Sequence, residues 1–247
     1  MVTTPISAEQ ELADAIGLYN AGRPADAENA CRRALARQPD HPALHQLLAL
    51  LCLERGDAIE ARQHVRRSLA SRPDHLPSLL IAARAAQAAG DAAGASELLT
   101  RVVHGDPTQT AAWYELGRAR RELGETATAA EAFRRAVALQ PSLAPAWFAL
   151  SLVCQDLRQL EEARDALQRV LQLRPDDVEA SINLGLIWQE LGDTDTALRH
   201  YAQAHALRPQ AFGRIANALC SERSGRLWLD LDDLKRELQS ISAATRA

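Results

Sequence analysis

The sequence predicts an all-α solenoid built from antiparallel helix pairs, and three observations lead to this fold class. The first is an internal period of 34 residues marked by six prolines: Pro39, Pro73, Pro107, Pro141, Pro175 and Pro209. The second is an alanine-rich composition with only 4% aromatic residues, which favours helices over sheets. The third is a small residue at two fixed positions of every period, where two helices could approach closely. A strict period of this length is typical of helical repeat proteins.

Each period predicts two helices of similar length separated by a tight turn. When the recurring proline is numbered 32, position 20 is alanine in all six periods: Ala27, Ala61, Ala95, Ala129, Ala163 and Ala197. Position 15 is glycine in every period except the fifth, which has Arg158. Glycine there can adopt the left-handed conformation and end the first helix. The proline ends the second helix because it has no N–H to continue the hydrogen-bond ladder.

The fourth period resembles the tetratricopeptide repeat (TPR) most closely. The residues at the signature spacings are Trp113, Leu116, Gly117, Gly124, Ala129, Phe133, Ala136 and Pro141. The resemblance covers residues 8–211 and implies a right-handed superhelical solenoid after an N-terminal tail, 1–7. The six repeats would be 8–41, 42–75, 76–109, 110–143, 144–177 and 178–211.

The resemblance also implies that the first helix of each repeat lines a concave groove. The candidate partner-binding residues are Leu50, Arg84, Gln87, Tyr114, Arg118, Arg121, Phe148, Leu152, Gln155, Ile182 and Gln189. Three arginines, Arg84, Arg118 and Arg121, lie near the centre of this set. They would suit an extended or helical peptide that has apolar anchors and an acidic group. The alternative is that some of them pair with acidic residues of the groove itself, since Glu115 and Glu122 are near.

Residues 212–247 leave the period and predict a capping helix followed by an amphipathic helix. Five apolar residues at spacings of four and three form one stripe of that second helix: Leu227, Leu231, Leu234, Leu238 and Ile241. The helix either packs on the sixth repeat or is a detachable segment. A detachable segment could dock on a partner or fold back into the groove. The candidate docking residues are Leu227, Trp228, Leu231, Leu234 and Leu238.

Charge and cysteine usage exclude several function classes. The formal net charge of −4 does not favour nucleic-acid binding. The four cysteines form no CxxC pair, and three of them fall at core positions, so we expect free thiols in a reducing compartment. The N-terminus shows no secretory signal, and no apolar run is long enough to cross a membrane. We therefore expect a cytoplasmic protein.

No set of residues in the sequence predicts catalysis. His41 and His45 are four apart, but Pro42 intervenes and no third ligand is near, so we expect no metal site. The glycines are used at turns and form no phosphate-binding loop. We predict no cofactor and no enzymatic activity.

These observations favour a scaffold or adaptor that binds a peptide or protein segment in its concave groove. Two alternatives remain at this stage. One is a regulatory subunit that is autoinhibited by its C-terminal amphipathic helix. The other is an accessory partner of a separately encoded transferase.

Overall fold

The computed structural model describes residues 7–220 and 231–246, and within these ranges every regular element is helical. This confirms the predicted all-α class and the helical solenoid of paired helices. Twelve helices follow one another as α1 to α12: Ala8–Asn20, Pro24–Arg37, Pro42–Glu54, Ala58–Ser71, Leu76–Ala88, Ala92–Gly105, Thr110–Glu122, Thr126–Leu139, Ala144–Asp156, Leu160–Leu173, Val178–Glu190 and Thr194–Leu207. A short 3₁₀ turn, Pro209–Ala211, then leads to α13, Phe212–Cys220, and α14 is Leu231–Arg246.

The chain forms two compact units, residues 1–124 (unit 1) and 125–247 (unit 2). Unit 1 contains α1 to α7, and unit 2 contains α8 to α14. In both units each helix packs against the next along the chain, and in unit 1 the first helix α3 also contacts α1 and α5. Contacts between neighbours in sequence are the defining property of a solenoid.

The turn inside each helix pair requires a left-handed residue. Five glycines supply it, with φ between 72° and 89°: Gly22, Gly56, Gly90, Gly124 and Gly192. Arg158 takes the same role with φ of 60°, and it is the one residue other than glycine with positive φ in the described ranges. The fifth repeat therefore has arginine in place of glycine, but its turn has the same left-handed conformation.

The recurring proline also provides a hydrogen-bond acceptor for the following repeat. The indole Nε1 of Trp113 donates to the carbonyl oxygen of Pro107 at 2.9 Å, and Trp147 does the same to Pro141 at 3.0 Å. In the second period His45 occupies the equivalent position, and its Nε2 lies 2.7 Å from the carbonyl oxygen of Pro39. The signature tryptophan and proline are thus partners across the turn between repeats.

The small residues at the two fixed positions let the paired helices approach closely. Ala15 and Ala27 have no exposed surface in unit 1, and neither has Ala197 in unit 2. A Cβ atom added to Gly185 would lie 2.5 Å from the ring of Tyr201, whose side chain is fully buried. Any side chain at position 185 would therefore push this helix pair apart.

The last described helix, α14, packs on α12 and α13. Leu234 and Leu238 have no exposed surface and join the apolar cluster that contains Ile215 and Tyr201, and Ile241 packs against it. Leu231, the first residue of the stripe on α14, is 53% exposed, so the buried part of the stripe begins at Leu234. Leu227 and Trp228 lie outside the described residues.

Candidate protein-binding surface

The candidate surface of unit 1 is formed by its first helices, α1, α3, α5 and α7. Polar side chains connect these helices to one another. The hydroxyl of Tyr19 on α1 donates to Oε1 of Glu54 on α3 at 2.5 Å. Nε2 of Gln87 on α5 donates to Oε2 of Glu115 on α7 at 3.0 Å. The side chain of Gln87 is therefore engaged in a hydrogen bond within the protein, which the sequence did not indicate.

The three central arginines differ in their partners. Nη1 of Arg118 donates to Oε2 of Glu115 at 3.1 Å, one turn earlier on the same helix. Arg84 and Arg121 are exposed, and neither guanidinium group makes an ion pair or hydrogen bond with any residue that the structure describes. The internal pairing considered from the sequence therefore applies to Arg118 alone.

We refer to Arg84 and Gln87 of α5, with Glu115, Arg118 and Arg121 of α7, as the α5–α7 surface. Arg84 is also close enough to α1 to act on Tyr19 through its charge. The hydrogen bond to Glu54 raises the pKa of Tyr19, and the positive charge of Arg84 partly opposes this shift.

Apolar side chains lie on the same first helices. Leu50 on α3 and Tyr114 on α7 are half-buried, and Ile16 on α1 is 41% exposed. An exposed isoleucine or a half-buried aromatic ring can anchor an apolar side chain of a partner. The described first helices of unit 1 therefore combine apolar sites with the guanidinium groups of Arg84 and Arg121, which have no partner among the described residues.

In unit 2 the candidate residues divide into two groups. Phe148 and Leu152 on α9 are half-buried and remain accessible. Gln155 donates to Oε1 of Glu190 at 3.1 Å, and Arg158 donates to the other oxygen of the same carboxylate at 2.5 Å. The polar part of α9 is therefore engaged with α11.

Two predicted groove residues on α11 are not accessible, and for them the prediction is wrong. Ile182 is 2% exposed and belongs to the apolar cluster of α12, α13 and α14. Gln189 has no exposed surface; its Oε1 accepts from the hydroxyl of Tyr201 at 3.0 Å, and its Nε2 donates to the carbonyl of Ala218 at 3.4 Å. The physical reason is that α13 contacts α11 and covers this part of its surface.

The sequence did not predict a contact between two histidines in unit 1. Nδ1 of His45 on α3 lies 3.0 Å from Nδ1 of His64 on α4, and the two rings are stacked with centroids 5.2 Å apart. Burial lowers the pKa of both imidazoles. The two residues are 19 positions apart within one repeat, and only the packing of α3 against α4 brings them together.

The three cysteines whose side chains the structure describes are free thiols in the core. Cys31, Cys52 and Cys154 are buried, and burial raises the pKa of Cys31 to about 11 and of the other two to about 12. A thiol of such high pKa is a poor nucleophile and metal ligand at neutral pH. Within the described residues, no group of three or more histidine, cysteine or acidic side chains is arranged to hold a metal ion.

Sequence profiles of two repeat families match the chain. The TPR domain of cytochrome c-type biogenesis protein H matches residues 98–215, and a tetratricopeptide repeat profile matches residues 18–86. No curated protein sequence matches the chain significantly. None of the helices in the described part is long and apolar enough to span a membrane.

Solved TPR structures resemble the chain over most of their length. MamA is 25% identical with a TM-score of 0.63, over 66% of this chain and 95% of MamA. PilF of Pseudomonas aeruginosa is 18% identical with a TM-score of 0.67, over 84% of this chain and 96% of PilF. YrrB, described as a TPR protein with an unusual peptide-binding site, is 17% identical with a TM-score of 0.68, over 73% of this chain and 93% of YrrB.

The helix pairs, their glycine turns and these structural neighbours define a helical repeat protein of the protein-interaction class. The chain is a tetratricopeptide repeat protein.

Proposed function

We propose that this chain is a non-catalytic scaffold that binds a peptide or protein segment on the first-helix surface of its repeats, with unit 1 as the principal site. The observation that carries the proposal is the pair of exposed, unpaired guanidinium groups, Arg84 and Arg121, beside apolar sites on the same helices. Arginine and aromatic side chains are the usual energetic centres of protein interfaces. The peptide-binding site named for YrrB supports the same class of ligand on a similar fold.

The partner would carry an acidic group, because positive charge on this surface is matched by negative charge on a ligand. A cytoplasmic location remains our expectation from the sequence. Of the two alternatives, autoinhibition is not favoured, because α14 rests on α12 and α13 through Leu234 and Leu238. Neither the fold nor the surface offers a feature that favours the transferase-accessory alternative.

A charge reversal tests the proposal. We expect Arg84→Glu, Arg118→Glu and Arg121→Glu together to abolish capture of partners identified by affinity purification and mass spectrometry with the wild-type chain. The matched control reverses three exposed arginines on second helices of the same unit, Arg33, Arg66 and Arg67, and should keep capture. Far-UV circular dichroism establishes that both variants are folded. Equal capture by the two variants would refute the assignment of the surface.

A further inference from the structure

We propose that the cleft between α12 and α14 binds a small amphiphilic anion, a molecule with one acidic head group and an apolar body. The cleft belongs to unit 2 and to the second helix of the sixth repeat, so it is a different site from the α5–α7 surface. The proposal adds a small-molecule site to the chain and does not depend on the peptide-binding function proposed above.

Two adjoining cavities lie in this cleft. The larger has a volume of about 490 Å³ and the smaller about 270 Å³. Ala206 of α12 and Ser242 of α14 line both of them, so the two spaces lie on either side of the place where these residues meet. Binding sites for small ligands usually measure about 300–1,000 Å³, a range that includes the larger cavity.

The side chains of α12 that line the larger cavity change from polar to apolar along the helix. Thr196, Arg199 and His200 come from its first two turns, and Ala206 and Leu207 come from its last turn. Arg199 and Leu207 are separated by about 12 Å along the helix axis. A ligand of this length with a polar group at one end and an apolar body at the other matches the lining.

Arg199 supplies a positive charge that has no acidic partner among the described residues. Its Nη2 donates to Oγ1 of Thr196 at 2.9 Å, and its Nε donates to the carbonyl oxygen of Asp195 at 3.5 Å. Hydrogen bonds from Thr196 lower the pKa of Asp193, and the charge of Arg199 adds to this effect. Asp193 nevertheless makes no ion pair with Arg199, because its carboxylate caps α12 by accepting from the backbone N–H and the hydroxyl of Thr196. The guanidinium can therefore bind an anionic head group.

The sixth repeat departs from the others at positions that line these cavities. Position 22 is acidic in the three preceding repeats and is Arg199 in the sixth. Position 26 is arginine in the first five repeats and Gln203 in the sixth, and position 28 is leucine or valine in the first five and His205 in the sixth. The helix pair does not require these residues, because five repeats form without them.

Two histidines of α12 have unused hydrogen-bonding capacity. His200 lines the larger cavity and His205, which is 4% exposed, lines the smaller one. The Nδ1 atoms of both are buried without a partner among the described residues. Burial lowers the pKa of both imidazoles, so the rings are neutral at pH 7 and the charge of the cleft comes from Arg199. Buried polar groups in native proteins usually have a partner, and a bound molecule can complete such a region.

Isothermal titration calorimetry of the full-length chain with octanoate tests the proposal. We expect saturable binding of one octanoate per chain. Acetate has the same head group without the chain, and 1-octanol has the chain with a neutral head group. Each should bind at least about tenfold more weakly than octanoate, because the cleft binds both parts of the ligand. Octyl phosphate is the comparison for the head group, and the tighter of the two anions identifies which head group the cleft prefers.

Variants locate the binding to the cleft. Arg199→Gln should weaken octanoate about tenfold and change the binding of 1-octanol less than about threefold, because only the charge-assisted contact is lost. Ala206→Phe places a ring where the two cavities meet and should abolish binding of both. Arg135→Gln, at an exposed position of α8, is the matched control and should bind octanoate as the wild type does.

Thermal unfolding without ligand establishes that all three variants are folded. The proposal would be overturned if neither octanoate nor octyl phosphate bound saturably, or if 1-octanol bound as tightly as octanoate. An unchanged affinity for octanoate in Arg199→Gln would also overturn it, and this variant keeps the test decisive if Ala206→Phe does not fold.

Discussion

Arg158 shows how a single residue can depart from the repeat without changing the fold. Its φ of 60° lies in a region that costs residues other than glycine about 1–2 kcal/mol. Its guanidinium contacts Glu190, but the side chain is 71% exposed, so this ion pair offsets little of that cost. The turn therefore carries local strain that the other five turns avoid with glycine.

Two substitutions of Arg158 measure this strain separately from the ion pair, because both remove the arginine side chain. We expect Arg158→Gly to be more stable than Arg158→Ala by about 1 kcal/mol, since only glycine adopts the left-handed conformation at no steric cost. Urea denaturation with unchanged m-values measures the difference. Equal midpoints for the two variants would show that the turn is relaxed in solution.

We expect the histidine pair to make the stability of unit 1 depend on pH. Nε2–H of His45 donates to the carbonyl of Pro39, as the signature tryptophans do, so its Nδ1 accepts from Nδ1–H of His64. A second proton on His45 would place two N–H groups against each other. Arg67, Asp40 and His41 act on the charge of His45, and Glu60 and Arg32 act on that of His64.

Because the pKa of both imidazoles is lowered in the folded state, the unfolded chain binds more protons below about pH 6.5. The free energy of unfolding should therefore hold above this pH and fall as the pH drops toward the folded pKa values. Thermal denaturation between pH 7.5 and pH 5 should show a smaller decrease for His64→Gln than for the wild type. His104→Gln, at an exposed position of α6, is the control and should follow the wild type.

At the scale of elements, neighbouring repeats are joined by ion pairs between their second helices. Arg32 of α2 contacts Glu60 of α4 at 2.6 Å, and Arg134 of α8 contacts Glu162 of α10 at 2.7 Å, both at a separation of 28 residues. Each pair recurs at the same two positions of the repeat. Arginine on these helices therefore contributes to the packing of repeats, and it is distinct from the unpaired arginines of the α5–α7 surface.

The packing of α14 on α12 and α13 leads to a prediction about the stability of unit 2. Leu234→Ala and Leu238→Ala should each lower the stability of unit 2 by about 2–4 kcal/mol, because each removes a fully buried side chain from the cluster. Leu231→Ala is the matched control, and at 53% exposure it should change stability by less than about 0.5 kcal/mol. Trp188 packs against the same cluster, so its fluorescence reports the transition. If Leu234→Ala and Leu238→Ala unfolded at the same denaturation midpoint as the wild type, the observed packing would be contradicted.

At the scale of the whole molecule, contacts between neighbours predict unfolding in more than one step. Trp113 is the one tryptophan of unit 1, and Trp147, Trp188 and Trp228 belong to unit 2. A Trp113→Phe variant therefore reports unit 2, and a variant with phenylalanine at the other three positions reports unit 1. We expect the two fluorescence transitions in urea to have different midpoints, while far-UV circular dichroism follows both. Coincident transitions at every pH would show that the chain unfolds as one cooperative unit.

The sequence by itself determined the class of the fold. A period of 34 residues with glycine, alanine and proline at fixed positions leaves one way to pack the helices, and the observed elements confirm the all-α solenoid. It also located the basic residues Arg84, Arg118 and Arg121 on the first helices. These features follow from local conformational preferences and helix periodicity, which any stretch of sequence carries with it.

Only the tertiary structure decided which side chains face solvent and which have partners. It buried Ile182 and Gln189 under α13, paired Arg118 with Glu115 and placed α14 on α12. These contacts depend on how the helices pack and on which of several nearby charged side chains pair. The repeat pattern does not specify the packing of the C-terminal helices or the pairing of individual charges. The sequence thus determined that the chain has a surface for binding, and the tertiary contacts decided which of its residues remain accessible to a partner.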